Sequence, residues 1–198
     1  MKLVLATQNP KKLKEMNEIL RHLGVEVVSE AELGVRIEVE ETDETFTDNA
    51  RLKATAVMQA TGLPAVADDS GLCVDALNGG PGVYSARFGG EGLDDKGRYT
   101  LLLEMLRGQT DRAAHFHTSI VCAFPNGDEL VCEGECPGTI AFAPMGEGGF
   151  GYDPVFFVPE LRKTFGQLTA EEKASVSHRG KALRAFAAAL DDYLKGNE

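Results

Sequence analysis

The stretch Leu3-Val4-Leu5-Ala6-Thr7-Gln8-Asn9-Pro10-Lys11-Lys12 joins a buried strand directly to an amphipathic helix. Four apolar residues make the strand. Leu13, Met16, Leu20 and Leu23 then recur on one helical stripe, with Lys14, Glu15, Glu18 and Arg21 away from it. Asn9 suits the N-cap and Pro10 the first helical position, so the turn ends on a helix N-terminus. Free backbone N–H groups and the helix dipole favour an anion there. Thr7, Asn9 and Lys12 beside those donors form a candidate phosphate cradle, though the Gly-x4-Gly-Lys-Ser/Thr loop is absent. A plain structural cap with surface lysines accounts for the same residues.

The chain has 198 residues, 43% of them hydrophobic and 26% charged, enough for one large domain or one domain with a small lobe. A net charge of -11 argues against a nucleic-acid polymer or an anionic membrane as partner, but leaves nucleotides open. No apolar run approaches a membrane span, and Met1-Lys2 leads into a strand rather than a signal peptide, which points to the cytoplasm. The four cysteines fit that reading. Cys132-x3-Cys136 lacks a second pair at zinc spacing. A two-residue Asn126-Gly127 turn would set Cys122 opposite Val131 and put Cys132 on the other face, so reduced thiols are expected.

Further strands are expected over residues 25–28 and 36–39, then at 64–67. A turn at Asp68-Asp69-Ser70-Gly71 and a short strand over 72–74 follow. Thr45 opens a helix to about Gln59, Asp94 one to Leu106, and Ser177 the last, to Leu194. Residues 115–124 and 129–142 read as an antiparallel pair. Residues 79–92 and 146–153 are glycine-rich loops, and 155–158 is another strand. The pattern predicts an α/β fold with a long, curved, mixed sheet, flanking helices and two lobes around a nucleotide-binding cleft.

Two acidic pairs, Glu40-Glu41 and Asp68-Asp69, fall at expected strand ends, where carboxylates can hold Mg²⁺. Lys53 interrupts an apolar helix stretch. His178 and Arg179 open the last helix, where cations oppose the dipole and call for an anion or a polar base as compensation. Phe150-Gly151-Tyr152-Asp153 offers an aromatic, a close-approach glycine and an acid to a heterocycle; core packing of Phe150 is the competing reading.

In order along nearly the whole chain, the motifs resemble the non-standard purine nucleoside triphosphate pyrophosphatases, the inosine/xanthosine triphosphatase family. They are Ala6-Thr7-x-Asn9-x-x-Lys12, Glu40-Glu41-Thr42, Phe46-x-x-Asn49-Ala50-x-x-Lys53-Ala54 and Ala67-Asp68-Asp69-Ser70-Gly71-Leu72, then Pro81 to Arg87, Gly149 to Pro154, Glu171-x-Lys173 and Ser177-His178-Arg179. Gln8 departs from the glycine many members carry. The resemblance implies Mg²⁺-dependent hydrolysis of ITP, dITP and XTP to the monophosphate and pyrophosphate, by a homodimer. It implies that Asp69 is the catalytic base and that Glu40 and Asp69 hold the metal. Thr7, Asn9, Lys12 and Lys53 would hold the triphosphate, and Gln8, Pro10, Lys11 and Ser70 would also bind the substrate. Phe150, Gly151, Tyr152, Asp153, Lys173, His178 and Arg179 would surround the nucleoside. A nucleotide sensor without turnover would need the basic groups but not Glu40 and Asp69. A septum-inhibitor-like pyrophosphatase would share the fold and act on other bases.

Overall fold

The computed structural model describes residues 1–7, 9–40 and 44–196. Seven strands form one sheet in the order β2-β1-β3-β4-β5-β6-β7. They are β1 (Lys2–Leu5), β2 (Glu26–Ser29), β3 (Ala65–Val74), β4 (Ala113–Ala123), β5 (Glu129–Ile140), β6 (Phe156–Val158) and β7 (Lys163–Thr164). The helices are α1 (Pro10–Leu20), α2 (Phe46–Thr61), α3 (Asp95–Met105), α4 (Ala170–Val176) and α5 (His178–Gly196). The sheet is mixed: β1 pairs parallel with β2 and β3, while β6 pairs antiparallel with β5 and β7. The α/β class expected from the alternation of elements is the one found.

Contacts divide the chain into two compact units. The first comprises the described parts of Met1–Asp69, Thr118–Gly134 and Lys181–Glu198. Its core sets Leu3, Leu5 and Val66 against Met16 and Leu20 of α1 and Leu183, Phe186 and Leu190 of α5. A smaller cluster packs Ala50 and Ala54 of α2 on Ala67 and Val121. The second unit comprises Ser70–His117 and Glu135–Gly180. There Leu72, Val74, Leu102 and Leu106 close on Phe116, Tyr152, Phe156 and Phe165.

Three local expectations change. Residues 36–39 form no strand, although the alternation is real: Val35, Ile37 and Val39 are half-buried and Arg36, Glu38 and Glu40 exposed. A period of two reports which side chains are covered, not whether the backbone has a ladder partner. Asp68-Asp69-Ser70-Gly71 is no turn either, because β3 runs through it unbroken to Val74. Turn-type residues stay in the strand because lysines from α1 and α2 meet the carboxylates. Glu40 and Asp69 therefore do not lie at strand ends.

The β4–β5 hairpin also closes differently. Phe124 N–H donates to Asp128 O and Gly127 N–H to Phe124 O, both at 3.0 Å, with Gly127 at φ +93°. That is a three-residue loop with a glycine bulge, not a two-residue turn. The register shifts by one, and every side chain changes partner. Ser119 Oγ accordingly donates to Glu133 Oε1 at 3.2 Å, and His117 Nδ1 lies 3.1 Å from Glu135 Oε1. Cys122 and Cys132 thus share one face and one core cluster, contrary to the sequence expectation. They remain free thiols, as do Cys73 and Cys136. In this register they are diagonal neighbours, roughly 7–8 Å apart, too far for a disulfide. Burial first, and Cys132 second, push the Cys122 thiol above its usual range.

Candidate active site

In the first unit the site begins at the β1–α1 turn. Asn9 has extended backbone, and its Oδ1 accepts Lys11 N–H at 2.9 Å; Thr7 Oγ1 accepts Asn9 N–H at 3.2 Å. Pro10 opens the helix, and no acidic residue occupies its first turn, so the positive dipole end has no carboxylate of its own. Asn9, Pro10 and Lys11 are exposed. Gln8 lies outside the described residues, as do Glu41 and Thr42.

Lys12, two residues into the helix, reaches back over the sheet. Its Nζ donates to Asp68 Oδ2 at 2.7 Å, and the Asp68 side chain is only 2% exposed. From α2, Lys53 Nζ donates to Asp68 O at 2.8 Å and lies 3.7 Å from Asp69 Oδ1. Helix α2 is seated firmly enough to aim that lysine. Thr45 caps it by accepting Asp48 N–H, Thr47 Oγ1 donates to Glu133 Oε1 at 2.9 Å, and Arg51 forks onto Glu129. Two cations and two carboxylates from three elements therefore meet at the middle of β3, with Ser70 next along the strand.

Glu40 is exposed and lies immediately before the undescribed residues. Among the described residues no three His, Cys, Asp or Glu side chains gather as metal ligands. The candidate ligands Glu40 and Asp69 offer only oxygen, which suits a hard cation such as Mg²⁺. That ion commonly takes one or two carboxylates plus phosphate and water. Asp68 is engaged by Lys12, so Asp69 is the carboxylate better placed for it.

In the second unit the loop Gly146–Asp153 is organised around Asp153, which is buried. Asp153 Oδ2 accepts Phe150 N–H at 2.9 Å and pairs with Lys173 Nζ. Burial pushes the Asp153 carboxyl above its ordinary value; Lys173 and the Phe150 N–H pull the other way. Gly149 is required at φ +78°, since a Cβ there would sit 1.9 Å from Asp153 Oδ2. Phe150 is 74% exposed, its ring 4.6 Å from Lys173 Nζ. An ammonium over that face gives a cation–π contact, and the exposed ring is free to stack on a heterocycle.

Tyr152 faces the other way. It is buried, and its hydroxyl donates to Ser85 O at 2.7 Å. It anchors the loop rather than presenting its ring to solvent. Lys173 lies on α4, a helix absent from the sequence reading although Thr169 and Glu172 form a reciprocal capping box. Ser177 Oγ accepts Gly180 N–H at 3.1 Å and starts α5 as expected. A Cβ on Gly180 would lie 2.0 Å from Ala174 O, so only glycine permits the α4–α5 join. His178 stacks on Phe116 at 4.6 Å and, with Arg179, occupies the first turn of α5. A cavity of about 550 Å³ between Thr110–Ala113 and Thr139–Phe142 includes none of these residues.

The structure thus brings Lys12, Lys53 and Asp69 together in the first unit, and Phe150, Gly151, Asp153 and Lys173 in the second. Sequence reasoning missed Asp68 as the partner of Lys12. It also missed Asp95, whose carboxylate accepts Gly151 N–H at 2.7 Å. Neither contact has a local signal, because each joins residues 56 positions apart.

The two-carboxylate, two-lysine strand centre and the lysine-backed aromatic loop belong to a mixed α/β protein whose relatives give its class. The profile of the Ham1 family matches residues 3–189, and the chain belongs to that family. It is 54% identical over 186 residues to the dITP/XTP pyrophosphatase of Desulforamulus reducens, covering 93% of this chain and 92% of that one. With the dITP/XTP pyrophosphatase of Thermus thermophilus the figures are 52% over 194 residues, 97% and 93%. A HAM1 protein from Coxiella burnetii superposes with a TM-score of 0.93 at 43% identity, over 97% of this chain and 99% of that one. The Staphylococcus aureus Ham1 protein gives 0.91 at 40%, over the whole of both.

Proposed function

We propose that the protein hydrolyses dITP, XTP and ITP to the nucleoside monophosphate and pyrophosphate, removing non-standard purines from the nucleotide pool. The observation that carries this is the convergence of Lys12 and Lys53 on Asp68-Asp69. It occurs in a chain about half identical, nearly end to end, to dITP/XTP pyrophosphatases. Water adds to the α-phosphorus, the bond from that phosphorus to the bridging oxygen breaks, and pyrophosphate leaves. Such a reaction needs charge neutralisation and an oriented water rather than a protein nucleophile. Lys12 and Lys53, with Thr7, Asn9 and the first-turn N–H groups of α1, neutralise the triphosphate. Asp69 takes the proton from the attacking water. Phe150 stacks on the base, Asp153 and Lys173 hold that ring in place, and His178 and Arg179 donate to the 6-oxo edge.

Magnesium dependence belongs to the same proposal, with Asp69 and Glu40 as its protein ligands. When bound, the ion would withdraw charge from the phosphates and lower the pKa of a water. A homodimeric assembly and a cytoplasmic location complete the reading. No described helix is long and apolar enough to cross a membrane. The test is a panel of ITP, dITP, XTP, GTP and ATP with and without magnesium, following both pyrophosphate and orthophosphate. Pyrophosphate from ITP and XTP, dependent on magnesium, is expected. Orthophosphate as the first product, or ATP turned over as fast as ITP, would overturn the reading.

A further inference from the structure

Phe150 presents its ring to solvent at 74% exposure, so packing alone does not fix where that ring lies. Glycines on both sides, Gly149 at φ +78° and Gly151 at φ +59°, leave the loop backbone unusually permissive. Lys173 Nζ covers one face of the ring at 4.6 Å, and Phe150 O accepts Asp153 N–H at 3.1 Å. The rest of the backbone orientation is set by the two peptide N–H groups that bracket the Phe150 Cα. One of them, Phe150 N–H, goes inward to buried Asp153 Oδ2 at 2.9 Å. The other, Gly151 N–H, goes to Asp95 Oδ2 at 2.7 Å.

Asp95 lies in the first turn of α3, where a carboxylate suits the helix dipole, and Asp94 rather than Asp95 supplies the cap. Its other oxygen is 3.4 Å from Arg98 on the next turn. Asp95 is also close enough to act electrostatically on both Tyr152 and Asp153. Of the ties on this loop, those through Asp153 and Tyr152 are buried. The one through Asp95, whose side chain is 54% exposed, faces solvent.

We propose that Asp95 is a positioning residue for substrate recognition: by accepting the Gly151 N–H it fixes the Phe150 backbone, and so the ring that stacks on the purine. This rests on the proposed function for the identity of the ligand, but not for the tether itself. It assigns to α3 a part in base selection that acts through the loop, without touching the nucleotide.

The variants are Asp95→Ala, which removes the acceptor, and Asp95→Asn, which keeps a neutral one. Asp95→Ala is expected to raise KM for ITP about fivefold with kcat within about twofold of wild type, and Asp95→Asn to restore most of the loss. Unchanged KM in Asp95→Ala would overturn the proposal, as would equal loss in both variants. The chain contains no tryptophan, so Phe150→Trp supplies a single reporter at the ring. In that background, steady-state fluorescence anisotropy of the indole is expected to fall by about a third with Asp95→Ala and to stay near the parent value with Asp95→Asn. Anisotropy unaffected by Asp95→Ala would also overturn the tether. If the wild-type protein releases no pyrophosphate from ITP, the proposed function fails, while the anisotropy comparison still decides the role of Asp95.

Discussion

The Lys12 ammonium lies 2.7 Å from the Asp68 carboxylate, and Lys53 donates to the carbonyl of that same residue at 2.8 Å. Asp68 thus holds one lysine through its side chain and the other through its backbone. The two lysines come from helices packed on opposite faces of the sheet, and β3 is where their reach coincides. Such an arrangement holds two cations at one carboxylate pair.

Lys12→Met should be costly because it leaves an almost fully buried Asp68 carboxylate without its ion-pair partner. A loss of roughly 3 kcal/mol is expected for breaking one side of such a pair. Adding Asp68→Asn should recover a good part of it. Urea unfolding of the two single variants and the double variant measures the coupling; strictly additive losses would mean the pair contributes no stability.

Asp69→Asn keeps the shape of the side chain and removes its basicity. If Asp69 accepts the proton of the attacking water, turnover of ITP should fall by roughly 10²-fold or more. Binding of a non-hydrolysable ITP analogue should change far less. Near-normal turnover would remove Asp69 from the base role.

Lys53→Ala should weaken ITP binding by about 1.5–3 kcal/mol, as expected for a lost charge-assisted contact. IMP should be affected much less, because it carries one phosphate where ITP carries three. Titration calorimetry with the two ligands gives the comparison, and equal losses would show that Lys53 acts through the fold.

Asp153 predicts a particular pH dependence. Burial raises its pKa above the ordinary 3.8, so between that value and the raised one the folded protein holds more protons than the unfolded chain. The stability this group contributes is present below the ordinary value and is lost as pH rises through the raised one. Its function runs the opposite way, since only the carboxylate pairs with Lys173. The acid limb of kcat/KM for ITP should therefore lie above the ordinary value of this carboxyl. In Asp153→Asn that limb should disappear at reduced activity, and the stability difference from wild type should vary with pH in the sense stated. Denaturation and initial-rate series from pH 4 to 8 test both.

Base choice should depend on the start of α5. Donors from His178 and Arg179 match a 6-oxo group and oppose the 6-amino group of adenine, leaving donors unpaired. Wild-type kcat/KM for ITP and XTP should exceed that for ATP by at least about tenfold, with the margin smaller in Arg179→Ala. An unchanged margin would place base reading elsewhere.

Features whose partners lie within three or four residues were legible in the chain itself. Asn9-Pro10 opening α1, Asp94 capping α3 and Ser177 capping α5 each satisfy N–H groups in the next turn, so the signal and its partner sit in one short window. The β1–α1 turn was legible for the same reason. Tertiary structure decided the rest. Asp68 to Gly71 reads as a turn until lysines 56 and 16 positions away, Lys12 and Lys53, neutralise the carboxylates and let the strand continue. Residues 36–39 carry a strand's alternation but find no ladder partner. The hairpin register turned on one glycine bulge, which local composition does not distinguish from a two-residue turn. Tyr152 and Phe150, two positions apart in the same motif, end in opposite environments: the Tyr152 hydroxyl finds Ser85 O inside the core, while the Phe150 ring stays exposed against Lys173. Propensity and capping are short-range energies encoded in the local sequence. Pairing, register and burial are long-range ones, set only when distant segments meet.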